Sequence, residues 1–252
     1  MIKKTAEFIS SSRKIVVITG AGISTEAGIP DFRSPETGLW NKVNPMITFS
    51  SWGFKLRPKA FYRIGLKILP SILNAQPTLA HHFLARLEQR NCLSCVITQN
   101  IDGLHQKAGS KKVIEIHGNL RKGHCIKCNK EYTLEEINLK IENDGIPPKC
   151  ERCKKPIKPN IVLFGDPLPY EDFYKAEKGL QECDLLIIIG SSLLVYPVAD
   201  LPHIAVDRGV KIIIMNLERT PFDKDATLVL RNRIDETCRE INEFLKEPFT
   251  PQ

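Results

Sequence analysis

No stretch of the 252-residue chain approaches the ~20 consecutive apolar residues that a membrane-spanning helix needs, so no span is expected. The opening residues, Met1 to Ser10, carry two lysines but lack the apolar core and small-residue cleavage site of a signal peptide. They read instead as an amphipathic first helix. Internal repeats and low-complexity tracts are missing too, which sets aside repeat architectures and disordered linkers. What is there is ordinary for a globular protein: 42% hydrophobic and 26% charged residues, enough to build a core. The formal charge of +7 favours acidic partners such as phosphates or nucleic acid without selecting one. Its densest run, Lys149 to Lys158, reads as solvated surface. Eight cysteines without a secretion signal point to a reducing compartment, the cytoplasm, and to metal ligation rather than disulfides.

Five apolar runs have the continuous character of buried parallel strands: 15–19, 95–98, 113–116, 185–189 and 211–215. Between them, Leu79, Phe83, Leu84 and Leu87 share a helical face, as do Phe173, Ala176 and Leu180, and Ile234, Cys238, Ile241 and Leu245. This alternation predicts an α/β fold, an open parallel Rossmann-like sheet with helices on both faces. Residues 34–77 interrupt it with a loop and small helices, and 121–158 with two cysteine pairs and much charge. The expected organisation is a discontinuous nucleotide-binding domain (1–35, 78–120 and 159–252), a cofactor loop and small helical insert (36–77), and a zinc ribbon (121–158).

Cys125-x-x-Cys128 and Cys150-x-x-Cys153 stand 21 residues apart. Each pair can place two thiolates on one cation, and two such knuckles complete a tetrahedral zinc site. Four thiolates leave no coordination position for water or substrate, so the expected zinc is structural. Cys92 and Cys95 enter a buried strand and, with Cys183 and Cys238, read as core residues. His124 beside the first knuckle is surplus to the ligand set.

The first strand runs into Gly20-Ala21-Gly22-Ile-Ser24-Thr25, where glycines permit a tight turn and close approach to a pyrophosphate. The dinucleotide fingerprint fails at its last position, occupied by Thr25. Asp31, Phe32 and Arg33 follow, a set that could close over a nucleotide or form a salt-bridged surface loop. After the next strand come Gln99, Asn100, Ile101 and Asp102, suited to a ribose or a carboxamide but equally to a capped turn. A further strand delivers His117 and Gly118; a histidine at a strand end beside a glycine is a candidate general base. His105 competes with it and reads as a packing or hydrogen-bonding residue, while His81, His82 and His203 are expected to lack partners. Gly190, Ser191 and Ser192, and then Asn216, end two later strands where an adenine ribose could be held; each also suits a cap.

Together these motifs resemble the sirtuins, NAD-dependent protein deacylases, from residue 15 to about 220. The similarity lies in Gly-Ala-Gly-Ile-Ser at 20–24, Gly-Ile-Pro-Asp-Phe-Arg at 28–33 and Thr-Gln-Asn-Ile-Asp-Gly-Leu-His at 98–105. His117-Gly118, the four spaced cysteines and Gly-Ser-Ser-Leu-Leu-Val-Tyr-Pro at 190–197 complete it. The resemblance implies NAD as a consumed co-substrate, one structural zinc, and removal of acetyl groups from lysine with release of nicotinamide and O-acetyl-ADP-ribose. It implies phosphates on the turn 21–25, the nicotinamide carboxamide on Asp102 and near Ile101, and shielding by Phe32. Asn100 would orient ribose and water, and His117 would act as general base on a ribose hydroxyl. It further implies that an acetylated protein or peptide adds as a strand between segments 162–166 and 192–195, with Val162, Phe164 and Val195 lining an acyl-lysine tunnel and Gly165 and Asp166 contacting the peptide.

Two departures stand out: Phe-Gly-Asp at 164–166 replaces the family Phe-Gly-Glu, and Gly-Ser-Ser replaces Gly-Thr-Ser. Family members that prefer succinyl groups carry an arginine three residues after a tyrosine, and Tyr62 is followed there by Gly65. Acetyl is therefore expected over succinyl. Mono-ADP-ribosyl transfer on the same site is the alternative activity. An oxidoreductase would leave the cysteine insert without a role, and a nucleic-acid-binding module stays open through the basic surface.

Overall fold

A computed structural model describes residues 1–30 and 44–245. Asp31, Phe32 and Arg33 lie outside the described residues. Along the chain the strands are β1 (Ile15–Thr19), β2 (Leu93–Thr98), β3 (Val113–Glu115), β4 (Gly118–Cys125), β5 (Glu131–Thr133), β6 (Ile157–Ile161), β7 (Leu185–Ile189), β8 (Lys211–Met215) and β9 (Leu228–Leu230). The helices are α1 (Ile2–Ser11), α2 (Pro45–Thr48), α3 (Ser51–Leu56), α4 (Pro58–Asn74), α5 (Leu79–Gln89), α6 (Leu104–Lys107), α7 (Leu134–Asp144), α8 (Tyr170–Glu182), α9 (Pro202–Asp207) and α10 (Ile234–Phe244). A 3₁₀ helix covers Ala21–Ala27. The described residues fall into two compact units: 1–30, 75–116 and 170–245 form the first, and 44–74 and 117–169 the second.

In the first unit, six parallel strands run in the order β3-β2-β1-β7-β8-β9. Every residue of β1 and β7 is buried, as apolar runs without alternation require of a sheet covered on both faces. Ile15 and Val17 join one core with Ala6 and Ile9 of α1, Phe83 and Leu84 of α5, and Ile241 of α10. Val16 points the other way, towards Gly179 of α8. Asp235 of α10 accepts from the first two backbone N–H groups of α5, Leu79 at 3.1 Å and Ala80 at 2.9 Å, which end a helix without internal acceptors. Strand β9 has only three residues and carries no apolar run long enough to stand out in the sequence.

Strand order reverses between β1 and β7, where ligands gather in open α/β sheets. There the two chain exits touch through backbone alone. Gly22 N–H donates to Gly190 O at 2.9 Å and Gly20 N–H to Ile189 O at 3.1 Å. A Cβ on Gly20 would lie 2.7 Å from Gly190 O, and one on Gly22 would lie 2.7 Å from Gly190 Cα. The segment after β1 winds as 3₁₀ rather than as the α-helix of a dinucleotide fingerprint.

Two imidazoles are buried in this unit, His81 on α5 and His105 on α6, with ring centroids 4.7 Å apart. His105 Nε2 lies 2.9 Å from Thr19 Oγ1, which makes it the hydrogen-bonding residue expected of it. His81 corrects the expectation that it would lack partners: Thr78 N–H donates to its Nδ1 at 3.2 Å, closing a capping box at the start of α5. A histidine at that third helical position does the work of the usual glutamine, which its sequence context alone did not reveal.

In the second unit, β5-β4-β6 form an antiparallel sheet flanked by α7, whose N-cap Thr133 and Glu136 make a capping box. Phe54, Phe61 and Tyr62 of α3 and α4 share one core with Tyr132, Ile137, Ile157 and Leu163. Phe54 and Phe61 meet edge-on at 5.0 Å. The stretch expected to hold small helices includes the 17-residue α4, whose buried face is confined to Phe61 and Tyr62. That short buried face hid its period among the prolines and glycine.

Replacing Gly22 by alanine should therefore cost about 1–3 kcal/mol of stability through overpacking, whereas Gly65→Ala, with no atom within 4 Å of the added carbon, should be neutral or stabilising. Urea midpoints for the two variants decide the point, and a wild-type midpoint for Gly22→Ala would contradict the contact. A second expectation concerns acid. Burial, then the neighbouring histidines, pushes the pKa of His81 down to about 2, and burial pushes that of His105 to about 4. The unfolded chain binds both protons near pH 6.5 and the fold does not, so stability is full above that pH and falls below it. Between pH 7.5 and 5.5 the loss should reach roughly 3 kcal/mol, half from each histidine. His81→Gln keeps the capping box and should flatten that decline by about half; an unchanged pH profile would show that His81 does not contribute.

Candidate active site and metal centre

The C-terminal ends of β1, β2, β7 and β8 carry most of the polar residues singled out in the first unit. Asn100 is buried, and its amide donates to Gly20 O and to Ser24 Oγ, both at 3.1 Å. Ser24 in turn donates to Asp102 Oδ2 at 2.7 Å, while Asp102 Oδ1 accepts the Leu104 N–H at 2.9 Å. Burial pushes the Asp102 carboxyl above its ordinary range, opposed by the Leu104 N–H, Ser24 and Asn100. Gln99 Nε2 donates to the buried Ser191 Oγ at 2.8 Å, tying the end of β2 to the loop after β7. Asn100, Ser24 and Asp102 thus form one chain of bonds, and Gln99 and Ser191 a second.

Other members of the expected set are placed less centrally. Ala21 is half-buried, and Thr25 is exposed with its hydroxyl on Gly22 O at 3.0 Å. Asn216, after β8, donates to Glu218 O at 2.9 Å, a turn bond. Ile101 and Ser192 are half-buried. Val195 is half-buried as well, and its carbonyl accepts the Ala199 N–H at 2.9 Å.

His117 opens the second unit, between β3 and β4, and is half-buried. Its carbonyl accepts the Val162 N–H at 2.9 Å. Gly118 follows at φ +73°, and a Cβ there would run into the Asn160 carbonyl, so glycine is required for β4 to lie against β6. Segment 162–166 is tied on one edge by Phe164, whose N–H donates to Phe49 O and whose carbonyl accepts the Ser51 N–H, both at 2.9 Å. Val162 and Phe164 are half-buried, and Gly165 is exposed. The Asp166 carboxylate, expected to face a peptide, accepts from Leu163 N–H at 3.0 Å and lies 2.8 Å from Lys158 Nζ. Burial opposes its ionisation, but Lys158 and the Leu163 N–H outweigh it and hold the carboxyl below its ordinary value. Tyr62 spends its hydroxyl on Ile157 O at 2.7 Å inside the core.

The four knuckle cysteines converge, with all sulfurs within 4.8 Å of one another. Pairs approach to 3.2 Å (Cys125–Cys153), 3.6 Å (Cys128–Cys150) and 3.8 Å (Cys128–Cys153). Zinc–thiolate bonds of ~2.3 Å in a tetrahedron put sulfurs about 3.8 Å apart, so the donor set fits that ion. The Tyr132 hydroxyl is the main cause that draws the Cys150 thiol down to about 6. The same hydroxyl donates to Glu151 at 2.6 Å, and Lys130 and Lys140 sit over its ring at 5.3 and 5.4 Å. His124 is not aimed at this cluster as a ligand; its Nδ1 lies 2.6 Å from Asn160 Oδ1.

Sequence reasoning did not single out Tyr132, Asn160, Thr19 or Lys158. The first three sit in strands or turns where nothing local marks them; Lys158 was absorbed into a run of surface charge although its side chain is only 13% exposed. Among the described residues no helix is long and apolar enough to cross a membrane.

Comparison with known proteins agrees with these features. A family model described as the Sir2 family matches residues 20–197. NAD-dependent protein deacetylase 2 of Caldanaerobacter subterraneus subsp. tengcongensis is 49% identical, over 98% of this chain and 96% of its own length. The NAD-dependent protein deacetylase of Thermotoga maritima is 44% identical, over 96% and 97%. Among solved structures, Sir2 with a p53 peptide and NAD+ aligns at a TM-score of 0.89 and 43% identity, covering 96% of this chain and 98% of that one. Sir2 bound to an acetylated peptide aligns at 0.88 and 42%, with the same coverage. With a family model over most of the chain and relatives matched nearly end to end, this protein belongs to the Sir2 family.

Proposed function

We propose that the chain is an NAD-dependent protein-lysine deacetylase of the cytoplasm, with one structural zinc. The observation that carries this is the buried Asn100–Ser24–Asp102 chain at the switch point, in a protein matched nearly end to end by NAD-dependent deacetylases. Its donors and acceptors suit ribose hydroxyls and a carboxamide, so the residues present fit the dinucleotide. When bound, NAD supplies an electrophilic ribose carbon and nicotinamide as leaving group. The free cysteines outside the knuckles suit a reducing compartment.

Position supports the following roles. The backbone of Gly20–Thr25, whose glycines bring it against Gly190, is the surface for the phosphates, and Asp31, Phe32 and Arg33 belong to the loop assigned to cover the nucleotide. Asp102 keeps acceptor capacity for the carboxamide N–H groups beside Ile101, since Ser24 and Leu104 use only part of it. Asn100 orients ribose and water. Gln99, Gly190, Ser191, Ser192 and Asn216 hold the remaining ribose and adenine end. His117 takes the proton from a ribose hydroxyl; its half-burial at a strand end supports that role. Val162, Phe164 and Val195 are assigned to the acyl-lysine, and Gly165 and Asp166 to its peptide backbone as an added strand. Gly65 brings no cation and Tyr62 is committed to Ile157, so among the described residues a succinyl carboxylate finds no partner there.

Incubating an acetyl-lysine peptide with NAD should yield free lysine, nicotinamide and O-acetyl-ADP-ribose by mass spectrometry. His117→Ala should slow this by about 10²-fold or more while the protein still binds NAD, and a succinyl peptide should turn over more slowly than the acetyl one. NAD consumption with ADP-ribose retained on protein would favour mono-ADP-ribosyl transfer instead. The zinc is tested separately. One equivalent should be released by a thiol-modifying reagent, and its removal should lower the melting temperature; a metal-free protein of unchanged stability would disprove a structural role.

A further inference from the structure

We propose that the Lys158–Asp166 ion pair is a positioning device for the acyl-lysine peptide, holding the edge on which the peptide is laid. This rests on the deacetylase reading and adds a residue, Lys158, to the machinery that binds substrate. Lys158 stands on β6, paired with His124 of β4. Its ammonium lies 2.8 Å from Asp166 Oδ2 and also donates to Ile161 O at 2.8 Å. Asp166 accepts the Leu163 N–H at 3.0 Å, and its own N–H returns to Leu163 O at 2.9 Å. One side chain thereby grips both ends of segment 161–166. The exposures of 13% and 18% show a pair largely withdrawn from water, unlike the surface ion pair Lys122–Glu131 at 58% and 66%. A pair this sheltered leaves an uncompensated charge when one partner is removed.

The backbone bonds show what the grip controls. Phe164 points its N–H and carbonyl at Phe49 and Ser51, and Val162 points its N–H at His117 O. Between them, the Leu163 N–H and carbonyl are both taken by Asp166. Asp166 closes them off, and this sets where a guest strand can and cannot pair. The shorter carboxylate suits this role, because its reach back over three residues to Leu163 N–H is that of a tight turn. Without Lys158 the turn would have to be ordered during binding, at the expense of affinity. Among the described residues the Lys158 ammonium bonds to Asp166 and Ile161, both of the peptide segment, so its loss should fall on the peptide.

Steady-state kinetics with peptide and NAD varied separately test this. Lys158→Met should raise the peptide KM by about 5-fold or more, with kcat and the KM for NAD held within about 2-fold. Lys158→Arg should restore the peptide KM to within about 2-fold of wild type, since the guanidinium keeps the charge and can reach the carboxylate. Asp166→Asn, which can still accept from Leu163 but no longer neutralises Lys158, should raise the peptide KM in the same direction. Faster amide exchange at Leu163 in Lys158→Met, read without any turnover, should accompany the kinetic change. An unaltered peptide KM in both Lys158→Met and Asp166→Asn would overturn the proposal, as would a fall in kcat with both KM values rising together. A wild type that deacetylates no peptide would sink the functional reading and this inference with it, whereas an active wild type with an indifferent Lys158→Met would remove this inference alone.

Discussion

The contact of bare backbone between Gly20–Gly22 and Gly190 is the constraint on which the nucleotide half of the molecule depends. Two parallel strands leave the sheet side by side at the point where strand order reverses, and each exit would normally need room for side chains. With hydrogens in place of Cβ, the exits close to hydrogen-bonding distance, Gly22 N–H on Gly190 O at 2.9 Å. The loops after β1 and β7 then behave as one surface. Ser24 and Ser191 stand at fixed places on it, and the end of β2 reaches both, through Asn100 and Gln99. A side chain at any of these glycines would part the loops and disperse the polar groups, so they serve the protein's own packing before they serve any phosphate.

Polarity at that edge is ordered in one direction. Asn100 spends both amide hydrogens, on Gly20 O and on Ser24, which obliges Ser24 to pass its own hydrogen to Asp102. Among the described residues, Asp102 is therefore an acceptor supported by neutral donors. Such support opposes the effect of burial on a sheltered carboxylate without neutralising it. The alternative, an ion-paired aspartate, would have had its lone pairs committed.

Much of this was legible in advance, and the exceptions have physical causes. Strands β1, β7 and β8 stand at the limits their apolar runs suggested, because residues buried on both faces leave no ambiguity of period. β9 escaped because three residues at an edge bury little, and α4 because its buried face is only two residues. The zinc knuckles could be read from spacing, since a tetrahedron of thiolates admits few spacings. Residues bonded across the fold could not: nothing near Lys158 in sequence distinguishes it from the solvated lysines around it. Its meaning comes from a carboxylate eight positions away that the chain folds back to meet. The capping histidine at position 81 failed for the same reason, its partner being a backbone N–H rather than a motif.

The ribbon's metal site bears on the chemistry through register. β4 begins beside His117 at Gly118 and ends at Cys125; β6 pairs with it from Ile161 opposite Gly118 to Ile157 opposite Cys125. An ion holding Cys125 to its three fellow thiolates would fix one end of this pairing, which runs in register from Cys125 to Gly123 and shifts register before it reaches Gly118 beside the candidate base. Beyond that end the same chain continues, giving Val162 N–H to the His117 carbonyl and then turning at Asp166. A one-residue slip of β6 would reverse every side chain on it. Lys158 would leave Asp166, and Ile157 would leave the core it shares with Cys125 and Tyr132. A metal on the four thiolates would thus hold one end of the β4–β6 pairing, with the candidate base and the segment proposed for the peptide at its other end.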